Sequence, residues 1–106
     1  EMLKTADRIA EKKGVTTKVG TVFTSDMFYS AIPNAYELYR AENMLAVEME
    51  TAGIYWTANH AGKKALSLLS ISDHVFTGEA LSAQDRQDSF RDMMEIALDT
   101  AWEFTD

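Results

Sequence analysis

Cysteine is absent from the 106 residues, which excludes a disulfide framework, a thiol nucleophile and a cysteine zinc site. Proline occurs once, at Pro33, where it fixes its own φ and biases Ile32 away from helix. Positive charge is scarce as well. Ten Lys and Arg against seventeen Asp and Glu leave a formal net charge of -7, and no basic patch with interleaved aromatics occurs. Such a surface repels phosphate backbones, so nucleic acid is not an expected partner. No apolar run reaches the roughly 20 residues a membrane span needs, and no signal-peptide pattern is present. Neither membrane association nor secretion is expected, and the expected compartment is the cytoplasm. His60 and His74 are not at ligand spacing, so no metal site is expected. There is no phosphate loop, no GxGxxG and no GxSxG.

The chain is 46% hydrophobic, with two Trp, four Tyr and five Phe, a composition suited to a packed globular domain. Its length fits a single domain, near the low end for one that also encloses a substrate. The first residue is Glu1, and residues 2–13 read as a helix already under way. The chain is therefore expected to be the C-terminal part of a longer protein.

The stretch with the most organising power is residues 63–74, KKALSLLSISDH. Leu66, Leu68, Leu69 and Ile71 make a nearly continuous apolar run, typical of a central strand covered on both faces. It ends in Ser72-Asp73-His74, at the carboxyl end of the expected strand, where open α/β sheets bind ligands.

Upstream, Met2, Leu3, Ala6, Ile9 and Ala10 recur at three- and four-residue spacing before Gly14, an amphipathic helix with its stop. Residues 15–24 are rich in Val and Thr and predict a strand. Residues 26–34, holding Phe28-Tyr29-Ser30 and Pro33, predict a loop. A short helix over 35–43 with Asn34 as its cap, a brief strand over 45–48 and a helix from Glu50 to a stop at Gly62 follow. Strand, helix and strand over 45–74 form a crossover unit. Ser82 with Asp85 marks the start of a long last helix. Its Phe90, Met93, Met94, Ala97, Leu98, Ala101 and Trp102 are expected to pack against the sheet. The order is that of an α/β fold, a mixed sheet flanked by helices.

Asp73, at the mouth of the expected strand, would lose water and hold a proton at neutral pH, or would simply be a turn or cap residue. Glu48 and Glu50 flank Met49. The pair can hold sugar hydroxyls, accept a metal, or sit at a positively polarised helix N-terminus. Arg86, thirteen positions beyond Asp73, can reach the carboxylate or remain an exposed helix arginine. Phe28 and Tyr29 can offer a ring face to a flat heterocycle or anchor their loop.

Taken together, Val47-Glu48-Met49-Glu50, Ser72-Asp73-His74 followed by Thr77 and Glu79, Phe28-Tyr29-Ser30 and Arg86-Gln87 resemble the C-terminal half of the hexameric, bacterial-type purine nucleoside phosphorylases. The resemblance implies a nucleoside phosphorylase-like α/β fold, present in part with its N-terminal half absent. Residues 1–106 would be the C-terminal half of one such domain. It also implies reversible phosphorolysis of purine (deoxy)ribonucleosides to free base and pentose 1-phosphate. Asp73 would then be the general acid toward N7 of the purine, with Arg86 supporting the transfer. Phe28, Tyr29, Val47, Glu48, Met49, Glu50 and Ser72 would bind the nucleoside.

No cofactor is implied, and phosphate is a co-substrate. The implied partners are nucleoside, phosphate, the missing N-terminal half and, for the full-length protein, a homo-hexamer. The family's phosphate ligands find no match in these residues, so the chain alone is expected to be inactive. Two other readings remain open: a methylthioadenosine/adenosylhomocysteine-type nucleosidase using water in place of phosphate, and a non-catalytic assembly fragment whose apolar surface needs a partner.

Overall fold

The structure is a computed structural model that describes residues 1–27, 35–74 and 79–105. Within it the chain divides into two compact units, Glu1–Thr17 with Leu66–Asp106, and Lys18–Ala65.

The first unit is built on two helices, α1 (Met2–Lys12) and α4 (Ala83–Trp102). Ala6, Ile9 and Ala10 fall on one face of α1 and meet Ile96 of α4, with Val15, Leu66 and Leu68 packed around them. The small alanines let the two backbones approach, and Ile9 and Ile96 fill the space between. Lys13 reaches Asp99 at 3.1 Å and Glu95 at 3.7 Å, and Arg8 reaches Glu103 at 2.7 Å. These are exposed pairs that add little stability beside the apolar contact.

The second unit contains β1 (Val22–Thr24), α2 (Ala35–Ala41), β2 (Ala46–Glu48) and α3 (Thr51–His60). β1 and β2 run parallel, with Val22 opposite Ala46, Phe23 opposite Val47 and Thr24 opposite Glu48. The ladder continues beyond the strands through Leu45 N to Thr21 O and Ser25 N to Glu48 O, both 2.8 Å. Phe23 packs on the buried Tyr39 of α2, ring centroids 5.4 Å apart. On α3, Trp56 and His60 stack with centroids 3.8 Å apart, and His60 Nδ1 donates to the Trp56 carbonyl at 2.9 Å.

Helix ends follow from local chemistry. After α1, Gly14 takes φ +73°, Gly14 N bonds Glu11 O and Val15 N bonds Ala10 O. After α3, Gly62 takes φ +66° and Lys63 N bonds Ala58 O. Both are left-handed caps in which glycine escapes the Cβ penalty. Asn43, φ +53°, plays the same part after α2, with Met44 N on Tyr39 O. Ser82 caps α4 by accepting from Asp85 N at 3.1 Å, as the Ser-x-x-Asp spacing predicts.

Several expectations are corrected. Residues 63–74 do not form a central strand: Asp73 makes an isolated antiparallel bridge with Ala80, and Leu66 and Leu68 pack on the helix pair instead. An apolar run becomes a strand only where neighbours supply ladder partners, and among the described residues the sheet is two-stranded and parallel rather than mixed. The parallel crossover is consequently β1-α2-β2, one step earlier than predicted. The strand predicted over 15–24 is confined to its last three residues.

The stripe predicted on α4 is not the face that packs, and the helix meets α1 rather than the sheet. Ile96 is buried against α1, while Leu98 and Trp102 are 71% and 77% exposed. The expectation of a partial α/β fold is corrected as well, since secondary structure runs from Met2 to Trp102.

Candidate functional site

The candidate residues fall in both units, and each group is held by its own local logic. In the first unit, Asp73 is fixed at the backbone by its bridge to Ala80, flanked by His74 N on Glu79 O at 2.7 Å and Leu81 N on Ser72 O at 2.8 Å. One residue after that bridge region Ser82 starts α4, which brings Arg86 of the first turns to Asp73: Nη2 to Oδ1 is 3.1 Å. Ser72 Oγ lies 3.4 Å from the other carboxylate oxygen, a long contact.

The Asp73 and Arg86 side chains are 63% and 44% exposed. A pair that open contributes at most about 1 kcal/mol to folding, so its interest lies in placing a guanidinium against a carboxylate. The dry surroundings expected of Asp73 are not supplied within its unit, because the strand that would have enclosed it does not form.

In the second unit the motif Val47-Glu48-Met49-Glu50 passes from β2 into α3. Glu48 turns its carboxylate back onto the start of α3: Oε2 accepts from the N–H groups of Glu50 and Thr51, both at 2.7 Å. Oε1 accepts from the Thr24 hydroxyl. That hydroxyl in turn accepts from Ala52 N at 3.1 Å. The first amides of a helix lack partners within it and attract an anion. Glu48 and Thr24 together answer them, as the helix-terminus reading anticipates.

Burial pushes the Glu48 carboxyl up, but hydrogen bonds from the Thr24 hydroxyl and from the Thr51 and Glu50 amides outweigh it, and the group ends below the ordinary glutamate range. Glu50, the residue before α3, makes no side-chain cap bond and is exposed, as is Met49. Val47 pairs with Phe23 in the ladder.

Asp73 and Arg86 are thus brought together in one unit, and Val47, Glu48, Met49 and Glu50 in the other. Phe28 and Tyr29 lie outside the described residues. Thr24 stood outside the residues predicted from sequence. No local sequence signal marks it; the parallel register of the strands sets Thr24 beside Glu48. A shallow depression lined by Asp7, Glu11, Gly14, Val15, Thr16 and Thr17 contains none of the candidate residues. Among the described residues no three His, Asp or Glu side chains gather as metal ligands.

Comparison with known proteins adds a family pattern. The family model described as "Phosphorylase superfamily" matches residues 1–105. The chain is 50% identical over 101 residues to a "Purine nucleoside phosphorylase DeoD-type" of Geobacillus sp. (strain WCH70), covering 95% of this chain and 43% of that protein. The identity and coverage are the same for the DeoD-type protein of Geobacillus stearothermophilus. It is 46% identical over 101 residues to the "Purine nucleoside phosphorylase DeoD-type 2" of Vibrio cholerae, again 95% of this chain and 43% of the relative. The chain thus spans 43% of the length of these curated relatives. The family match itself runs through nearly the whole chain, residues 1–105.

Proposed function

The chain belongs to the phosphorylase superfamily, and from that premise we propose that it serves a purine nucleoside phosphorylase, a pentosyltransferase of purine salvage. The reaction is phosphorolysis of a purine (deoxy)ribonucleoside to base and pentose 1-phosphate. A phosphate oxygen forms a bond to C1′ of the sugar as the bond from C1′ to N9 breaks, and the electron pair passes into the purine. Asp73 delivers its proton to N7, so the base leaves neutral. Arg86 stabilises the carboxylate that remains, a charge-assisted interaction that strengthens as the proton departs.

Glu50 holds the ribose hydroxyls, Met49 packs on the sugar, and Val47, Glu48 and Ser72 line the base side with Phe28 and Tyr29. Residues 1–106 act within one nucleoside phosphorylase domain, which works in the cytoplasm as a homo-hexamer and needs no cofactor beyond phosphate as co-substrate. The observation that carries this reading is the 3.1 Å contact of Arg86 with Asp73. An exposed pair of that kind has little value for stability, but it has a direct use beside a proton donor.

The test exchanges the matching segment of the Geobacillus stearothermophilus relative for residues 1–106. The hybrid is expected to release hypoxanthine from inosine only when phosphate is present. Asp73→Asn should slow it by about 100-fold or more, within the range of a lost general acid, and most for adenosine-type substrates. Equal rates for Asp73→Asn and its parent overturn the acid assignment, and release without phosphate replaces the phosphorylase reading with a nucleosidase. Residues 1–106 alone are expected to show negligible phosphorolysis.

A further inference from the structure

We propose that Thr24 is a positioning residue: its hydroxyl, held between the Glu48 carboxylate and the Ala52 amide, sets the turn that presents Met49 and Glu50 to the sugar of a nucleoside. The proposal rests on the nucleoside-binding reading above and assigns a role to a residue outside the substrate motif. Its ground is the bonding pattern. The parallel register places the end of β1 against the end of β2, Thr24 opposite Glu48. From there the Thr24 hydroxyl donates to Glu48 Oε1 and accepts from Ala52 N at 3.1 Å. Glu48 Oε2 holds the amides of Glu50 and Thr51. The amides of three successive residues, Glu50, Thr51 and Ala52, are therefore tied to two side chains at the ends of adjacent strands. Met49 sits inside that clamp.

The consequence for Glu50 is specific. Helix capping is done by Glu48 and Thr24, and Glu50 makes no side-chain cap bond. Its exposed carboxylate is left for a ligand, on a backbone fixed from below. Both faces of the Thr24 hydroxyl are in use, the proton toward Glu48 and a lone pair toward Ala52. Valine has the shape of threonine without either function. Serine keeps both.

The experiment compares the chain with its Thr24→Val and Thr24→Ser variants. Three quantities are read: hydrogen exchange at the amides of Glu50, Thr51 and Ala52, inosine affinity by chemical-shift titration, and the urea unfolding midpoint. Thr24→Val is expected to speed exchange at the three amides and to weaken inosine binding, each by about tenfold, the scale of one lost hydrogen bond to a charged group. Thr24→Ser is expected to restore both. Unchanged exchange in Thr24→Val overturns the proposal whatever the binding. Faster exchange with inosine affinity equal to the parent overturns the substrate-positioning role. An affinity loss in Thr24→Val that Thr24→Ser shares overturns it too, since the hydroxyl would then not be the cause. The expected exchange response with no inosine binding by any of the three chains upholds Thr24 as organiser of the turn and overturns the nucleoside-binding reading itself.

Discussion

Glu48 has the most heavily engaged carboxylate recorded in either candidate group. It accepts from the Thr24 hydroxyl and from two backbone amides, and its folded-state affinity for a proton is lower than an ordinary glutamate's. The linkage follows in sign. A carboxyl with a depressed folded pKa adds stability above its unfolded pKa, and that stability is lost as pH falls through the folded value. The urea midpoint is therefore expected to fall on the acid side of the ordinary glutamate range, and Glu48→Gln should flatten that acid limb. At neutral pH the substitution should cost about 1–2 kcal/mol, the usual loss of a helix cap, because an amide NH2 would face backbone donors. An acid limb of equal steepness in Glu48→Gln would show that other carboxyls govern it. Lys13 carries the opposite sign. Its hydrogen bond and charge pairing with Asp99 outweigh the small effect of burial and raise its pKa, so its contribution is lost only as pH rises through the folded value, above the ordinary lysine range.

The helices differ in how far their roles could be read from sequence. Both ends of α1 were legible because an amphipathic face and a glycine stop are local signals, and the Gly14 and Gly62 caps formed where sequence placed them. Residues 63–74 do not follow their local pattern, since whether an apolar run joins a sheet depends on partners elsewhere in the chain. The site followed the same divide. Arg86 meeting Asp73 depended on a helix start that Ser82 announces. Thr24 meeting Glu48 depended on strand register, which no local pattern records. On α4 the stripe read from sequence omits Ile96, the residue that packs on α1, and substitutions can separate the two faces. Ile96→Ala, which empties part of the contact with α1, is expected to cost about 2–4 kcal/mol. Leu98→Ala, at an exposed position, should stay within about 0.5 kcal/mol. Urea midpoints of the two variants check this, and equal losses would mean that both faces are buried in solution.

At the scale of the molecule, the balance between covered and uncovered apolar surface is unusual. Among the described residues the buried hydrophobics are Ala6, Ile9, Ala10, Tyr39 and Ile96, while Ile54, Trp56, Ile71, Met94, Leu98 and Trp102 are each more than half exposed. Large apolar side chains left uncovered in such number favour association. The chain is expected to bind an apolar dye such as ANS and to show a sedimentation coefficient that rises with concentration, despite the self-repulsion of its net charge of -7. Concentration-independent sedimentation with no dye response would show that the surface is covered in solution. No described helix is long and apolar enough to cross a membrane.

The indole of Trp56 lies against the His60 imidazole one turn further along α3, on the helix whose opening amides Glu48 and Thr24 secure. The light emission of an indole depends on the ring packed against it and changes when that ring moves away. Nature has thus placed a label-free lamp on the very segment whose anchoring the threonine substitutions would loosen, and its brightness could report that loosening in a cuvette.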